Sequence, residues 1–523
     1  TWLAIGASIF ASNIGSEHLI GLAGAGASSG MAMAHWEIQG WMILILGWVF
    51  VPFYSRSMVY TMPEFLERRY NPQSRTILSV ISLVSYVLTK VAVTVYAGGL
   101  VFQQVFGIKE LWGIDFFWIA AIGLVVLTAL YTIFGGMKSV LYTSVLQTPI
   151  LLLGSLIILV LGFKELGGWD EMMRVCGAVT VNDYGDTMTN LIRSNDDANF
   201  PWLGALIGSA IIGFWYWCTD QFIVQRVLSG KNEKEARRGT IFGAYLKLLP
   251  VFLFLIPGMI AFALHQKYIG AGGEGFLPML ANGTANADAA FPTLVAKLLP
   301  AGVKGLVVCG ILAALMSSLA SLFNSSAMLF TIDFYKRFRP ETPEKKLVGI
   351  GQIATVVIVI LGILWIPIMR SVGDVLYTYL QDVQSVLAPG IAAAFLLGIC
   401  WKRTSAQGGM WGLIAGMIIG LTRLGAKVYY SNAGEVADST FKYLFYDMNW
   451  LFFCGWMFLF CIIVVIVVSL ATEAPTAEKI QGLVFGTATK EQKAATRASW
   501  DHWDIIHTVI ILAITGAFYW YFW

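Results

Sequence analysis

Residues 11–30, ASNIGSEHLIGLAGAGASSG, are the stretch of the sequence that decides the fold. Asn13, Glu17 and His18 fall within a turn and a half of one another, halfway through the first apolar segment of the chain. Gly15 allows the backbone to unwind there, and an unwound turn frees carbonyl oxygens that bind cations. Small residues alone would instead indicate close helix packing. Because ionisable residues within a membrane span are usually functional, we favour a broken helix with a binding role.

The rest of the chain has the composition of a membrane protein. Of its 523 residues, 57% are hydrophobic and only 12% are charged, whereas about a quarter of the residues of a soluble domain are charged. Apolar stretches of about 20 residues, the length that crosses a hydrocarbon core of about 30 Å, recur from end to end. We predict thirteen spans, at residues 1–27, 36–55, 76–106, 112–134, 139–164, 202–226, 239–265, 303–333, 348–370, 375–400, 407–428, 447–471 and 504–523.

Lysine and arginine are concentrated in alternate connections, as the positive-inside rule predicts for cytoplasmic loops. If the loop after the second span faces the cytoplasm, the basic connections 226–238, 336–346 and 472–503 face the same side. The acidic segment 165–200 then lies outside. This orientation places the start of the chain inside and its end outside, and it leaves open whether a further helix precedes residue 1.

The spans divide into a transport core and an accessory part. We assign residues 1–401 to the core, with one five-span repeat at about 1–166 and a second at about 200–401. Each repeat opens with a helix that small and polar residues interrupt, which is typical of inverted repeats meeting at the bilayer midplane. Residues 402–523 supply accessory helices, with a cytoplasmic linker at about 472–503.

A second polar surface lies in the eighth span. Ala314, Ser317 and Ser318 share one helical face. The carbonyl of Ala314 and the two hydroxyls would complete an oxygen cage with carbonyls of the first span, and hard cations prefer oxygen ligands. Serine pairs in membrane helices more often bond back to their own helix, so this signal is specific only in combination with the first span.

Aromatic residues next to polar ones occur at two further places in the core. Trp36-Glu37 opens the second span, and the segment WYWCTDQ at 215–221 crosses the sixth. Aromatic rings stack on the apolar face of a sugar while polar groups bind its hydroxyls; the alternative is an aromatic belt at the membrane interface. Lys247 lies in the middle of the seventh span, with Glu37 or the substrate as its expected partner, and Gln381 lies in the tenth.

The sequence lacks the motifs of the common enzyme classes. It has no nucleotide-binding glycine loop, no metal-spaced His/Cys set and no nucleophile elbow. Its basic residues are dispersed over short loops, which argues against nucleic-acid binding. We therefore expect no enzymatic activity, and the sequence indicates no obligate protein partner.

Five segments carry a resemblance to a known family. The chain is similar to the sodium/glucose cotransporter branch of the solute:sodium symporters in ASNIGSEHLIGLAGAGASSG (11–30), YTMPEFLERRY (60–70), WYWCTDQFIVQRVLSGKN (215–232), MSSLASLFNSSAMLFTIDFY (316–335) and FLLGICWKR (395–403). The resemblance implies an all-α, LeuT-type membrane fold, with two inverted five-helix repeats and additional C-terminal helices. It also implies transport of a sugar by sodium-driven alternating access across the lipid bilayer.

The resemblance assigns roles to the matching positions. Sodium is expected at the carbonyls of Ala11, Ile14 and Ala314 and the hydroxyls of Ser317 and Ser318. The residues expected to bind the sugar are Asn13, His18, Glu37, Tyr216, Trp217, Lys247 and Gln381, with Trp217 stacking on the ring. Tyr216 is the expected inner gate, and Leu22 and Trp36 are expected to close the outer side.

Two positions depart from the family pattern. Many relatives with a second sodium site have an aspartate where this chain has Ser144, so we expect one sodium per sugar, a ratio that reversal potentials measure. Gly213 stands where relatives often place a polar side chain near the sugar. The Ser16-Glu17-His18 triplet is also similar to myo-inositol carriers of the family.

Several alternatives to a hexose symporter remain. They are a symporter for myo-inositol or another small solute, a sensor that binds solute without transporting it, and a channel. The outer loops lack the paired cysteines of animal relatives. We therefore expect the chain to reside in a bacterial inner membrane.

Overall fold

The computed structural model describes the chain except residues 16, 58, 60, 281, 373–374 and 434–436, and except the side chains of residues 131, 133–148 and 369–372. The first 166 residues form α1 (Trp2–Asn13), α2 (Ala23–Ser29), α3 (Ala34–Glu37), α4 (Gly40–Ile45), α5 (Val51–Ser57), α6 (Met62–Arg69), α7 (Pro72–Ser85), α8 (Ala92–Phe106) and α9 (Phe116–Leu166). A two-stranded antiparallel hairpin, β1 (Glu110–Leu111) and β2 (Ile114–Asp115), precedes α9.

The middle of the chain continues with α10 (Trp169–Gly177), α11 (Trp202–Gly213), α12 (Gln221–Leu228), α13 (Glu233–Leu246), α14 (Ile256–Gly270), α15 (Ala290–Leu298), α16 (Ala301–Met328), α17 (Lys336–Phe338), α18 (Glu344–Val372) and α19 (Leu376–Cys400). The last part forms α20 (Ala406–Asn432), α21 (Thr440–Lys442), α22 (Trp450–Ala471), α23 (Ala477–Ile480), α24 (Lys490–Ala498) and α25 (His502–Tyr521).

Short segments with π-helical or 3₁₀ geometry connect many of these helices. The π-helical segments are Glu17–Leu22, Leu46–Phe50, Tyr86–Val91, Phe214–Thr219, Val251–Leu255, Leu329–Tyr335 and Tyr443–Asp447. The 3₁₀ segments are Gly30–Met33 and Ala287–Ala289. Because π-helical turns are frequent at functional sites, those at Glu17–Leu22 and Phe214–Thr219 direct attention to the first and sixth spans.

The predicted spans agree with the helices. Among the described residues, 11 helical stretches are long and apolar enough to cross a membrane, and Trp2–Asn13 and Phe116–Leu130 are shorter apolar helices. Together they match the thirteen predicted spans. Two boundaries differ. The stretch Glu17–Ser57 runs over the end of the predicted span 1–27 and the whole of 36–55, and α9 is one continuous helix over the predicted spans 112–134 and 139–164. Proline often interrupts a helix, but the one proline of α9, Pro149, lies within the predicted span 139–164. No proline therefore lies between the two predicted spans.

The first predicted break is confirmed. α1 ends at Asn13, Ile14 has extended backbone (φ −81°, ψ 99°), and helical structure resumes at Glu17. No backbone amide among the described residues donates to the carbonyl of Ala11 or of Ile14. These carbonyls lie within a membrane span, where a polar group needs a partner.

A second break lies in the sixth span. The π-helical turn Phe214–Thr219 is followed by Asp220 in extended backbone (φ −75°, ψ 128°), and α12 begins at the next residue. The Asp220 carboxylate caps α12 by accepting from the amide of Phe222 at 3.1 Å. Breaks in the first and sixth spans, five spans apart, are what two inverted repeats would produce. The repeat boundaries remain a prediction.

Helix burial separates a central group of spans from peripheral ones. In the apolar stretch of α19, 83% of the residues are buried, whereas only 17% are buried in that of α25. The start of α25 contacts the core through ion pairs. Arg238 forms ion pairs with Asp501 and Asp504 at 2.6 and 3.0 Å. The accessory role of the last helices fits this arrangement and remains a prediction.

Each half of the broken first span crosses a neighbouring helix through glycines. A Cβ on Gly258 of α14 would overlap the carbonyl oxygen of Ala23, and one on Gly26 would overlap that of Leu255. On the other side of the break, a Cβ on Gly6 of α1 would lie 2.8 Å from the carbonyl oxygen of Gly239 in α13. Absent side chains thus let α2 approach α14, and α1 approach α13, to backbone contact.

A buried carboxyl outside the spans joins the 3₁₀ segment Ala287–Ala289 to α19. Both carboxylate oxygens of Asp288 accept from the backbone amide of Leu376 at 3.2 Å. Burial raises the pKa of this carboxyl from 3.8 to about 7. Since its folded-state pKa is raised, its stabilising contribution is lost as the pH rises toward 7.

The pH dependence of unfolding tests this carboxyl. We expect the Tm of the detergent-solubilised protein to fall between about pH 4 and pH 7, and Asp288→Asn to reduce that fall because it removes the titrating group. Asp196→Asn, at an exposed position of another connecting segment, serves as the control. An equal fall in wild type and Asp288→Asn would contradict the assignment.

Candidate functional site

A cavity lies between the two helix breaks. Of the predicted site residues, seven line it: Asn13, His18, Trp36, Tyr216, Trp217, Lys247 and Gln381. The sequence analysis did not assign a role to other polar residues that line it, namely Glu17, Gln39, Thr89, Lys90, Tyr377 and Gln384. The structure thus brings most of the predicted substrate residues together, while their roles remain proposals.

The Glu37 carboxylate is the centre of a buried polar network on one side of the cavity. Its Oε2 lies 2.6 Å from Nζ of Lys247 and 3.3 Å from Nε2 of His18. Its Oε1 accepts from the hydroxyl of Tyr377 at 2.5 Å. Nδ2 of Asn13 lies 3.2 Å from Nε2 of His18. The predicted partnership of Lys247 with Glu37 is therefore present in the structure.

Tyr377 belongs to this network and was not predicted. It lies four residues before Gln381 on α19, so the two side chains share one helical face. That spacing was the signal in the sequence that would have identified it. The spacing does not indicate which group the Tyr377 hydroxyl contacts.

A second buried ion pair lies at the sixth-span break. Nζ of Lys90 is 3.3 Å from Oδ2 of Asp220, and the hydroxyl of Tyr86 donates to Oδ1 at 3.0 Å. The Lys90 ammonium also lies 4.9 Å from the ring centre of Tyr216, the predicted inner gate. Lys90 was missed, although its place within the third predicted span was the same kind of signal that identified Lys247.

Three buried polar atoms of cavity-lining residues have no hydrogen-bond partner among the described residues. They are Nδ1 of His18, Nε1 of Trp36 and Oε1 of Gln381. Buried polar groups are normally paired, and each one left unpaired costs about 1–3 kcal/mol. An indole N–H needs an acceptor and an amide oxygen needs a donor. Hydroxyl groups provide both, so a polyhydroxylated ligand suits this lining.

The predicted outer residues differ in position. Trp36 lines the cavity and stacks on Trp450, with the ring centres 5.4 Å apart. Leu22 is fully buried at the end of the first π-helical turn and is not among the lining residues. Closure of the outer side by these two residues remains a prediction.

Gln39 occupies the space left by the missing side chain at Gly213. A Cβ on Gly213 would overlap Oε1 of Gln39, and Nε2 of Gln39 donates to the carbonyl of Ser209 at 2.8 Å. An amide from the second span thus lies against Gly213 in the sixth. This contact joins distant spans, so no pattern within one span predicts it.

The predicted sodium residues lie where the first-span break meets α16. A Cβ on Gly15 would lie 2.9 Å from the hydroxyl oxygen of Ser318, which places this serine against the unwound turn. Ala314, one turn earlier, is buried on the same helix. The carbonyls of Ala11 and Ile14, which accept no backbone hydrogen bond from the described residues, suit a cation. The expected one-sodium ratio rests on Ser144, whose side chain lies outside the described residues.

A bundle of apolar helices, two of them broken around a buried polar cavity, defines a multi-pass membrane transporter. Comparison with known proteins gives its family. Residues 1–416 match the family described as "Sodium:solute symporter family". The chain belongs to this family, whose members are transporters.

Relatives and a solved structure agree with this assignment. The chain is 36% identical over 499 residues to human sodium/myo-inositol cotransporter 2, covering 93% of this chain and 73% of the relative. It is 37% identical over 508 residues to the dog sodium/myo-inositol cotransporter, covering 93% and 70%. A Na⁺-coupled sialic acid symporter has a similar structure, with a TM-score of 0.67, 22% identity and 91% of each chain covered.

These findings confirm the all-α, LeuT-type transporter fold and identify the chain as a Na⁺-coupled solute symporter. The expected sodium/glucose branch is not confirmed, since the relatives above are myo-inositol cotransporters. The integral membrane location is confirmed. The relatives are animal proteins, so a bacterial inner membrane remains a prediction.

Proposed function

We propose that this chain transports a cyclic polyol of the myo-inositol type together with Na⁺. The observation that carries the proposal is the set of unpaired polar atoms on His18, Trp36 and Gln381 around one buried cavity. A ring that bears hydroxyls all around can satisfy donors and acceptors on several sides at once. The names of the relatives and the Ser16-Glu17-His18 triplet support inositol over glucose.

A hexose is the second candidate, and the position of Trp217 favours it. The indole lines the cavity next to Lys247, whose ammonium lies 5.3 Å from its ring centre. A sugar ring stacks its C–H face on such an indole. Both candidates share the remaining contacts, so selectivity between them depends on hydroxyl positions around the ring.

The proposed mechanism begins with sodium between the unwound first span and α16, where it stabilises the outward-facing arrangement. Substrate then binds in the adjacent cavity. Coupling requires sodium to favour the conformation that binds substrate, and substrate raises sodium affinity by the same factor. Movement of Tyr216, which contacts Lys90 at the second break, would then open the inner side.

Uptake into proteoliposomes tests this function. We expect saturable, sodium-dependent counterflow of labelled myo-inositol, with weaker counterflow of glucose and galactose, and no accumulation when choline replaces sodium. Binding without uptake would identify a sensor instead. Non-saturating flux without coupling would identify a channel. Faster glucose than inositol counterflow would favour the hexose candidate.

Loss of the Ser318 hydroxyl is expected to weaken sodium binding before it alters substrate choice. One lost oxygen ligand should cost about 1.4 kcal/mol, so the sodium concentration for half-maximal uptake should rise about tenfold in Ser318→Ala. The control is Ser325→Ala on the same helix, because its hydroxyl donates to the carbonyl of Ser321 at 3.0 Å. An unchanged sodium half-saturation in Ser318→Ala would argue against this site.

A further inference from the structure

Glu17 is an acidic residue in the cavity to which the sequence analysis gave no role. It is the first residue of the helical segment after the break, and it lines the substrate cavity. Its carboxylate turns back toward the unwound turn. A Cβ on Gly15 would lie 2.5 Å from Oε2 of Glu17 and 2.9 Å from the hydroxyl oxygen of Ser318.

These two distances place the carboxylate next to the proposed sodium site. Oε2 of Glu17 and the hydroxyl oxygen of Ser318 lie at most about 5.4 Å apart, the sum of their distances to one point. Oxygens lie about 2.3–2.6 Å from Ca²⁺, a cation of similar size to Na⁺, so one such cation can contact two oxygens up to about 5 Å apart. The absence of a side chain at Gly15 lets both oxygens approach the unwound turn.

We propose that the Glu17 carboxylate is a ligand of the transported Na⁺, on the side of the ion that faces the substrate cavity. The other proposed ligands are carbonyl and hydroxyl oxygens, which carry no formal charge. Glu17 would therefore supply the only formal negative charge in the set. This proposal rests on the sodium-coupled function proposed above and extends its site by one residue.

Two buried lysines near the cavity each contact the carboxylate of another residue. Lys247 is held by Glu37 at 2.6 Å, and Lys90 is held by Asp220 at 3.3 Å. Glu17 attracts both ammonium groups electrostatically, but each of them lies against the carboxylate of another residue. A cation at the break would bring a positive charge to the oxygen of Glu17 that faces Ser318.

The position of Glu17 also gives a physical route for coupling. The residue belongs both to the cavity lining and to the edge of the proposed ion site, so an ion that fixes its carboxylate also fixes part of the substrate site. A carboxylate that is already ordered can accept a hydrogen bond from a substrate hydroxyl without a further loss of side-chain entropy. Sodium would then raise substrate affinity, and substrate would raise sodium affinity equally.

The test compares Glu17→Gln, which removes the charge at constant shape, with wild type and Ser318→Ala. The first measurement is the rise in Tm of the purified protein when sodium chloride replaces choline chloride without substrate. We expect this rise in wild type and its loss in Glu17→Gln. The second is the sodium half-saturation of uptake, which should increase at least about 30-fold in Glu17→Gln, more than in Ser318→Ala, because a charged ligand is lost.

The substrate KM at saturating sodium should stay within about threefold of wild type, since the carboxamide can still accept a hydroxyl's hydrogen bond. In the double variant the two effects should be less than additive, because both residues would hold one ion. If Glu17→Gln is unstable, Glu17→Asp provides the measurement, because it keeps the charge and should keep the sodium-induced rise in Tm. Glu171→Gln, on the outer helix α10, is the control for charge removal.

A normal sodium-induced rise in Tm and a normal sodium half-saturation in Glu17→Gln would overturn the proposal. If substrate affinity alone changed, Glu17 would be a substrate ligand and not an ion ligand. Wild-type uptake that does not depend on sodium would instead refute the proposed function, so the two failures give different results.

Discussion

Glu37→Gln is expected to abolish transport and to lower the free energy of unfolding by about 3–5 kcal/mol. The carboxylate is fully buried and contacts Lys247 at 2.6 Å, His18 at 3.3 Å and Tyr377 at 2.5 Å. The neutral amide would leave the buried ammonium of Lys247 without its counter-charge. It would also disturb the side of the cavity that carries His18.

The double variant Glu37→Gln/Lys247→Met separates stability from function. Removing both charges takes away the unpaired ammonium, so we expect most of the lost unfolding free energy to return while transport stays absent. Denaturation in detergent and uptake in proteoliposomes measure the two effects. A Glu37→Gln protein as stable as wild type would show that the ion pair contributes little. Normal uptake in the double variant would exclude both residues from the substrate site.

Gly258→Ala is expected to prevent the formation of a stable transporter. The added methyl group would overlap the carbonyl oxygen of Ala23 at the crossing of α14 and α2. Overpacking usually costs about 1–3 kcal/mol, and the cost here should reach at least the top of that range because a backbone oxygen cannot rotate away. Yield of monodisperse protein and Tm in detergent measure this loss.

Gly305→Ala is the matched control for this substitution. Gly305 also lies in a membrane helix, α16, but a Cβ there would meet nothing within 4 Å. Alanine has the higher helix propensity, so this variant should be as stable as wild type or more stable. Equal behaviour of the two alanine variants would mean that the α2–α14 crossing is looser than the structure describes.

Most of the fold could be predicted from the sequence because membrane spans are marked by local composition. Hydropathy alone gave thirteen spans that match the helices. The break at Ile14 was predictable because polar residues lie in the middle of an apolar stretch. The continuity of α9 was not, since a weakly apolar segment between two spans is compatible with either a loop or a helix.

The candidate site was predicted only where a residue was conspicuous by itself. Lys247 and Glu37 stood out as charges within apolar spans, and the structure pairs them. Gln39 acquires its position in the cavity from its contacts with Gly213 and Ser209 in a distant span, which periodicity within one helix does not specify. The substrate is harder still to predict, because inositol and glucose differ only in the placement of a few hydroxyls around a ring.

The glycine crossings fasten each part of the broken first span to a different neighbouring helix. α1 packs backbone against backbone on α13, and α2 packs in the same way on α14. A change in backbone geometry separates the two crossings on each side. Ile14 has extended backbone in the first span, and the π-helical turn Val251–Leu255 lies between α13 and α14. We therefore expect α2 and α14 to move together as one unit relative to α1 and α13. The proposed ion and substrate sites lie at the break between the two parts of the first span.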